Sequence, residues 1–241
     1  MKLLGIIAAV ALALYLGVTL AFPSYTHRYR LTIEIDTPEG ARSGSSVIEV
    51  TRKDVRWVLI AQGRYTFREH GDAVFVDLGA GRNVIALLAT GPNGQNVDQM
   101  ITLPIEAYGY YKWDEDAWAG RVKMQGPVEL QAPLIPTLIT MPDVSDPKSA
   151  QVIYAFDFQE VRESSGALRR VPRLAIDRFS EKFGPGFRFK RATLETTRDD
   201  VTRGIENKIP WITQMKAQGL GSRIDGDPRS FRLNVPYLTV G

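Results

Sequence analysis

The 241-residue chain has no cysteine and only two histidines, His27 and His70. Without thiols it can form no disulfide, thiol nucleophile, thiolate zinc site or lipid linkage through cysteine. Two histidines cannot assemble a His-rich metal centre within one chain. Acidic residues cluster at Asp114-Glu115-Asp116, Asp143/Asp146, Asp199-Asp200 and Asp225/Asp227, but none has the alternation and glycine of an EF-hand loop. The first two read as solvated turns, the third as a helix N-terminus and the last as a tight turn. A G-x-S-x-G elbow is missing. Ser145 and Lys148 satisfy S-x-x-K, yet Pro147 between them disfavours the helical turn that pattern needs. No catalytic residue, metal site or cofactor is therefore assigned. Repeats and low-complexity tracts are also lacking, which argues against a solenoid or a disordered chain.

Charge of either sign is missing from Leu3 to Phe22, twenty residues long. As a helix rising ~1.5 Å per residue this run spans the apolar core of a bilayer. It is expected to be an inner-membrane anchor, with Phe22, Tyr25 and Tyr29 at the interface. The alternative is a signal segment cleaved near Ala21, after Thr19-Leu20-Ala21. Lys2 and the pair Arg28/Arg30 give opposing orientation signals. Either reading places the bulk of the chain in the periplasm, where nucleic acid is not an expected partner.

The net charge of +3 is unevenly spread. Residues 27–120 hold 10 Lys+Arg and 13 Asp+Glu, whereas residues 121–241 hold 19 and 14. Nine basic residues fall between Arg162 and Arg191. Such a patch attracts anionic lipid or other polyanions, or is simply a solvated face.

What is present is mostly strand pattern. RYRLTIEID alternates, with Leu31, Ile33 and Ile35 on one side. TPEGARSGSS then reads as a long hairpin loop before VIEV. GRYTF, AVFVDL and NVIALLAT, separated by glycine turns, indicate an antiparallel meander. The expected fold class is α+β: an N-terminal membrane helix at 1–22, a β-rich domain at 28–103 and a mixed α/β C-terminal domain at 104–241. The boundary is soft, since both halves can share one sheet. Helices are expected over Pro172–Phe183 and from Asp199-Asp200 to Ile209, with Pro210 stopping or kinking the second. FRLNVPYLTV reads as a final edge strand because of Pro236.

Two stretches carry candidate binding residues. In EKFGPGFRFKRATLET the glycines follow a helix rather than precede one, so Gly184 reads as a C-cap, not a phosphate cradle. Phe187 and Phe189 have opposite parity to Ala192 and Leu194. A bulge at Lys190-Arg191 brings all four to the core. Arg188, Lys190 and Arg191, with Arg169 and Arg170, are candidates for an anionic ligand. In YGYYKWDEDAW, the rings of Tyr108, Tyr110, Tyr111, Trp113 and Trp118 form either a stacking platform for sugar rings or head groups, or a roof over the junction of the halves.

The phrases YRLTIEIDTPEGARSGSSVIEV, GDAVFVDLGAGRNVIALL, PTLITMPDVSDPKS, FGPGFRFKRATLETT and VTRGIENKIPWI resemble an uncharacterised bacterial envelope-protein family. The resemblance covers most of the chain after the apolar run and implies an envelope location. It implies no activity, ligand or catalytic residue. The expected function is a membrane-anchored, non-enzymatic binding or scaffolding module, whose partners are the inner membrane, anionic lipid or an envelope protein. The alternative is an envelope hydrolase using carboxylates that sequence does not pair.

Overall fold

The computed structural model describes residues 6, 7, 11, 12, 17, 22–55, 64–213 and 238–240. Strands β1 (Ser24–Thr37) and β2 (Gly40–Asp54) form a long hairpin that pairs from Ser24↔Lys53 to Thr37↔Gly40. Two residues, Pro38 and Glu39, close it, and Thr37 Oγ1 donates to the Gly40 carbonyl at 2.7 Å. The expected long loop is therefore strand. Gly44 accounts for the misleading composition: a Cβ there would lie 2.3 Å from the Phe75 carbonyl oxygen. Another strand crosses so closely that only glycine fits.

That strand belongs to a second sheet. The first sheet runs β11-β3-β2-β1-β10-β6, with β3 at Tyr65–Asp72, β6 at Val128–Glu129, β10 at Arg188–Thr196 and β11 at Thr239–Val240. The second runs β4-β5-β7-β8-β9, with β4 at Val74–Gly79, β5 at Arg82–Ala86, β7 at Leu138–Thr140, β8 at Gln151–Arg162 and β9 at Leu168–Asp177. Named pairings are antiparallel throughout. The chain passes between sheets at Ala73, and each sheet draws strands from both sides of residue 103.

The described residues are mostly antiparallel β-sheet, 45% strand against 17% helix, which corrects the expected α+β class with its mixed α/β C-terminal part. The N-terminal membrane helix is not supported either. Among the described residues no helix is long and apolar enough to cross a membrane. Most of Leu3–Phe22 lies outside them.

Helices α1 (Asp98–Glu106), α2 (Glu115–Trp118) and α3 (Phe179–Phe183) are short. The helix expected over Pro172–Phe183 is half strand, because Pro172 to Asp177 pair with Phe158 to Tyr154 of β8. Only the end, where Phe179 is buried, turns helical. The helix expected from Asp199 is extended chain, followed by a 3-10 turn at Ile205–Asn207. Thr202 occupies the open flank of β2, donating its N–H to the Val47 carbonyl at 3.0 Å and accepting from the Val47 N–H at 2.8 Å. Sheet pairing outcompetes the helical register, and Gly204 at φ 103° breaks it. Pro210 precedes a helical turn at residues 211–213 rather than stopping one. Of the last expected strand, Thr239 and Val240 pair at the sheet edge with Asp72 and Gly71. Pro236 and the Asp225/Asp227 turn lie outside the described residues.

The inner face of the first sheet positions the site. Leu31, Ile33 and Ile35 are fully buried, as their alternation predicts; Tyr29, expected at a membrane interface with Tyr25, is instead buried in the same row, and Tyr25 packs against the core. The expected bulge is present: Glu34 pairs with Arg191 and Ile35 with Phe189, so Lys190 is the extra residue. Ala192 and Leu194 thereby join Leu31 and Ile33 in the buried apolar core. Past Tyr29, the same face continues into Tyr25, His27, Arg52, Phe67 and Glu69. There it is covered by α1, α2 and the loop between them.

Candidate binding cleft and its roof

The roof is fastened by polar contacts. Pro104 sits inside α1 and has no N–H for the carbonyl four residues earlier. That carbonyl, on Met100, accepts instead from the buried Tyr29 hydroxyl at 3.2 Å. Burial and the nearby Glu69 charge push the Tyr29 phenol well above its ordinary value, so it stays a donor. His27 Nε2 lies 2.9 Å from the Trp118 carbonyl, and burial lowers its pKa. The Trp118 indole donates to the Lys112 carbonyl at 2.9 Å, fixing the loop.

Arg52 is the centre of this region. Only 1% of it is exposed. Its guanidinium carbon lies 4.5 Å from the Tyr65 ring centroid, 4.8 Å from Trp118 and 5.5 Å from Tyr25. Nη2 donates to Glu115 at 2.6 Å, while Nε and Nη1 have no hydrogen-bond partner among the described residues. Ring faces stand in for those partners, since an aromatic quadrupole attracts a cation. Glu115 also accepts from the Tyr65 hydroxyl. Burial opposes its ionisation, but the bonds from Tyr65 and Arg52 outweigh it and hold its carboxyl below the usual range. The expected solvated turn at Asp114–Asp116 is thus a clamp: Asp114 caps α2, Glu115 ties it to the sheet and Asp116 pairs with Arg121 at 2.8 Å.

Between β3 and the roof lies a cleft of about 540 Å³. Phe67, Ile101 and Trp113 give its apolar side. Gln95, Asn96, Gln99 and Thr102 give its polar side, with Asp98 and Lys112 as its two charges. Glu106 fixes part of that wall, accepting from Gln99 Nε2 at 2.8 Å and from Thr102 Oγ1 at 2.5 Å. Close by on β3, Glu69 has one carboxyl oxygen buried without a hydrogen-bond partner among the described residues. Burial first, and then the Asp98 charge, raise its pKa to about 7.

Of the sequence-derived candidates, the structure brings few together. Trp113 lines the cleft and is 37% exposed, whereas Tyr111 is 68% exposed and lies outside that lining, and Trp118 is buried. Tyr108 and Tyr110 staple the following loop through the Gly126 and Lys123 carbonyls. Of the five rings only Tyr111 and Trp113 are exposed. Arg188 pairs with Asp36 at 2.8 Å, and Lys190 and Arg191 both meet Glu34, at 3.1 and 2.6 Å. Burial opposes ionisation of Glu34, but these two cations prevail and lower its pKa. Arg169 and Arg170 stand on β9, in the other sheet; Arg170 stacks 4.9 Å from the Phe158 ring centroid. With Arg173 and Pro172 they protect the exposed edge of that sheet against pairing. Ser145 and Lys148 sit in turns capped by Asp143 and Asp146. Gly184 takes φ 96° and ψ 177°, the positive-φ stop that the Gly-Pro-Gly turn requires. Among the described residues no cluster of three or more His, Asp or Glu is placed to hold a metal.

Sequence reasoning missed Gln95, Asn96, Asp98 and Gln99. The amide-rich PNGQNVDQ held the signal but also fits an ordinary turn. Set against protein-family models, curated proteins and solved structures, the chain matches none. The fold and site define a two-sheet antiparallel β protein with a roofed polar cleft, and no family is assigned.

Proposed function

We propose that this protein is a non-enzymatic binding module whose ligand site is the cleft lined by Phe67 and Trp113 on one side and by the amides of Gln95, Asn96 and Gln99 on the other. The supporting observation is the lining itself: three amides, one of them held by Glu106, and a hydroxyl share with two aromatic rings a space within the ~300–1,000 Å³ range of small-ligand sites. The basic residues offer less, because those on β10 are already matched by carboxylates of β1. Export to the periplasm is part of the proposal. It rests on the charge-free run, with cleavage near Ala21 leaving Pro23 to begin the fold by accepting from the Asp54 N–H at 3.0 Å.

A second reading, a hydrolase, is favoured by one feature. Glu69 and Asp98 are neighbouring carboxyls, and Glu69, buried, holds its proton more tightly than an ordinary carboxyl, as a general acid does. Glu69 lies outside the cleft lining, however, and the binding reading is the stronger.

Thermal-shift screening of the full chain against saccharides, peptides, nucleotides and fatty acids tests the proposal. At least one class should raise the melting temperature, and Trp113→Ala should abolish that rise. Failure of every class to bind refutes it. N-terminal sequencing of protein from a periplasmic extract tests the export element. An N-terminus close to Pro23 is expected, whereas an intact Met1 in the cytosolic fraction counts against export.

A further inference from the structure

We infer that the cleft takes a short, uncharged oligosaccharide, with Trp113 as its stacking platform. The inference rests on the cleft being the binding site and goes further by naming the ligand class. Trp113 is partly exposed, Phe67 packs on it at a centroid distance of 5.8 Å with a 41° tilt, and Lys112 Nζ lies 5.8 Å from its ring centroid, so neighbours on both β3 and the loop hold the platform in place. The C–H faces of a pyranose ring shed water against such a surface, while its rim of hydroxyls stays polar.

That rim needs groups that donate and accept side by side. A primary amide does both from one plane, and Gln95, Asn96 and Gln99 supply three. The order already built into the wall lowers the entropy lost on binding, because Glu106 holds the Gln99 amide and the Thr102 hydroxyl before any ligand arrives. The lining charges also select. Asp98 repels an anion and Lys112 repels a cation, so a nucleotide or a phosphorylated head group finds no excess of positive charge. Fatty acids would leave the amides unpaired, which is costly in a desolvated site.

The test presents the full-length protein to an array of neutral and acidic glycans. Hits are then titrated by tryptophan fluorescence and calorimetry, with a tripeptide panel and ATP in parallel. A neutral glycan should bind, and Trp113→Ala and Gln95→Ala should each weaken it at least tenfold. Tyr111→Ala, outside the lining, should leave it unchanged. Cleavage of the bound glycan would sustain the saccharide inference and move the function to the hydrolase reading. Peptide or ATP binding that is lost in Trp113→Ala, without glycan binding, overturns the inference but leaves the binding module standing. Glycan binding unaffected by both cleft variants overturns the cleft assignment. Silence from every probe overturns the inference and the binding proposal together.

Discussion

The inner face of the first sheet is one surface built in two manners. Leu31, Ile33, Ala192 and Leu194 are fully buried in an apolar core that also holds Val74 and Val76 of the second sheet. A few residues along the same strands, Tyr25, His27, Arg52 and Glu69 meet a helical roof through a buried cation, ring faces and hydrogen bonds. Apolar packing is indifferent to small rotations and to pH. A polar interface fixes register and responds to protonation, because each buried group must find its partner or pay desolvation. The cleft lies at the border of the second kind, where a positioned wall is needed.

Substitutions on the two sides sharpen that contrast. The largest loss is expected from Arg52→Ala, about 2–5 kcal/mol, because it empties the space the buried side chain fills among three rings and unties the half-exposed Glu115. Ile33→Ala on the apolar side should cost a comparable ~2–5 kcal/mol. Urea denaturation followed by tryptophan emission separates them: Arg52→Ala should loosen the roof at lower urea than the sheets, Ile33→Ala should shift one common transition. Coincident roof and sheet transitions in Arg52→Ala would erase the distinction.

Glu69 should act with opposite sign. Its folded pKa of about 7 exceeds the ordinary 4.5 of a glutamate carboxyl, so the folded state favours the protonated acid. Below pH ~4.5 both states are protonated and nothing is lost. Stability then falls as pH rises to about 7, by about 3 kcal/mol in all. The groups facing Glu69 are Asp98 of α1 and Tyr29 of β1, neither a cation. Glu69→Gln should therefore stabilise the protein at pH 8 and flatten its stability between pH 5 and 8. An unchanged pH profile would remove Glu69 from this role.

Smaller effects follow at the tether and the surface. Tyr29→Phe leaves the Met100 carbonyl without its donor and should cost about 1–3 kcal/mol. Pro104→Ala restores an N–H for that carbonyl, so the double variant should recover part of the loss in the same denaturation assay. Additive losses would mean the hydroxyl acts otherwise. Lys190→Ala should change stability by less than about 1 kcal/mol, since exposed pairs contribute little and Arg191 still reaches Glu34.

The apolar half was legible before any coordinates. Alternation in β1 announced its buried row, and the parity clash between Phe189 and Ala192 announced the bulge. The polar half was not. Arg52 stands in TRKD, which reads as surface because nothing in the chain order reveals three rings converging from β1, β3 and α2. Helix α1 was hidden by Pro104, a residue that normally ends helices, and is tolerated because a tyrosine from another element takes over the freed carbonyl. The β8–β9 ribbon was obscured differently, as the spacing of Ile176, Phe179 and Phe183 spans a strand end and a helix start. The cleft inherits this illegibility, since its walls come from β3, a turn, α1 and a loop that meet only after folding.

The exchange between Pro104 and Tyr29 has an evolutionary corollary. A ring that abolishes one hydrogen and a hydroxyl that supplies another are two halves of a single decision about where the roof helix sits. Descendants that trade the proline for an ordinary helix former gain freedom to lose the tyrosine, and the two letters should drift in tandem.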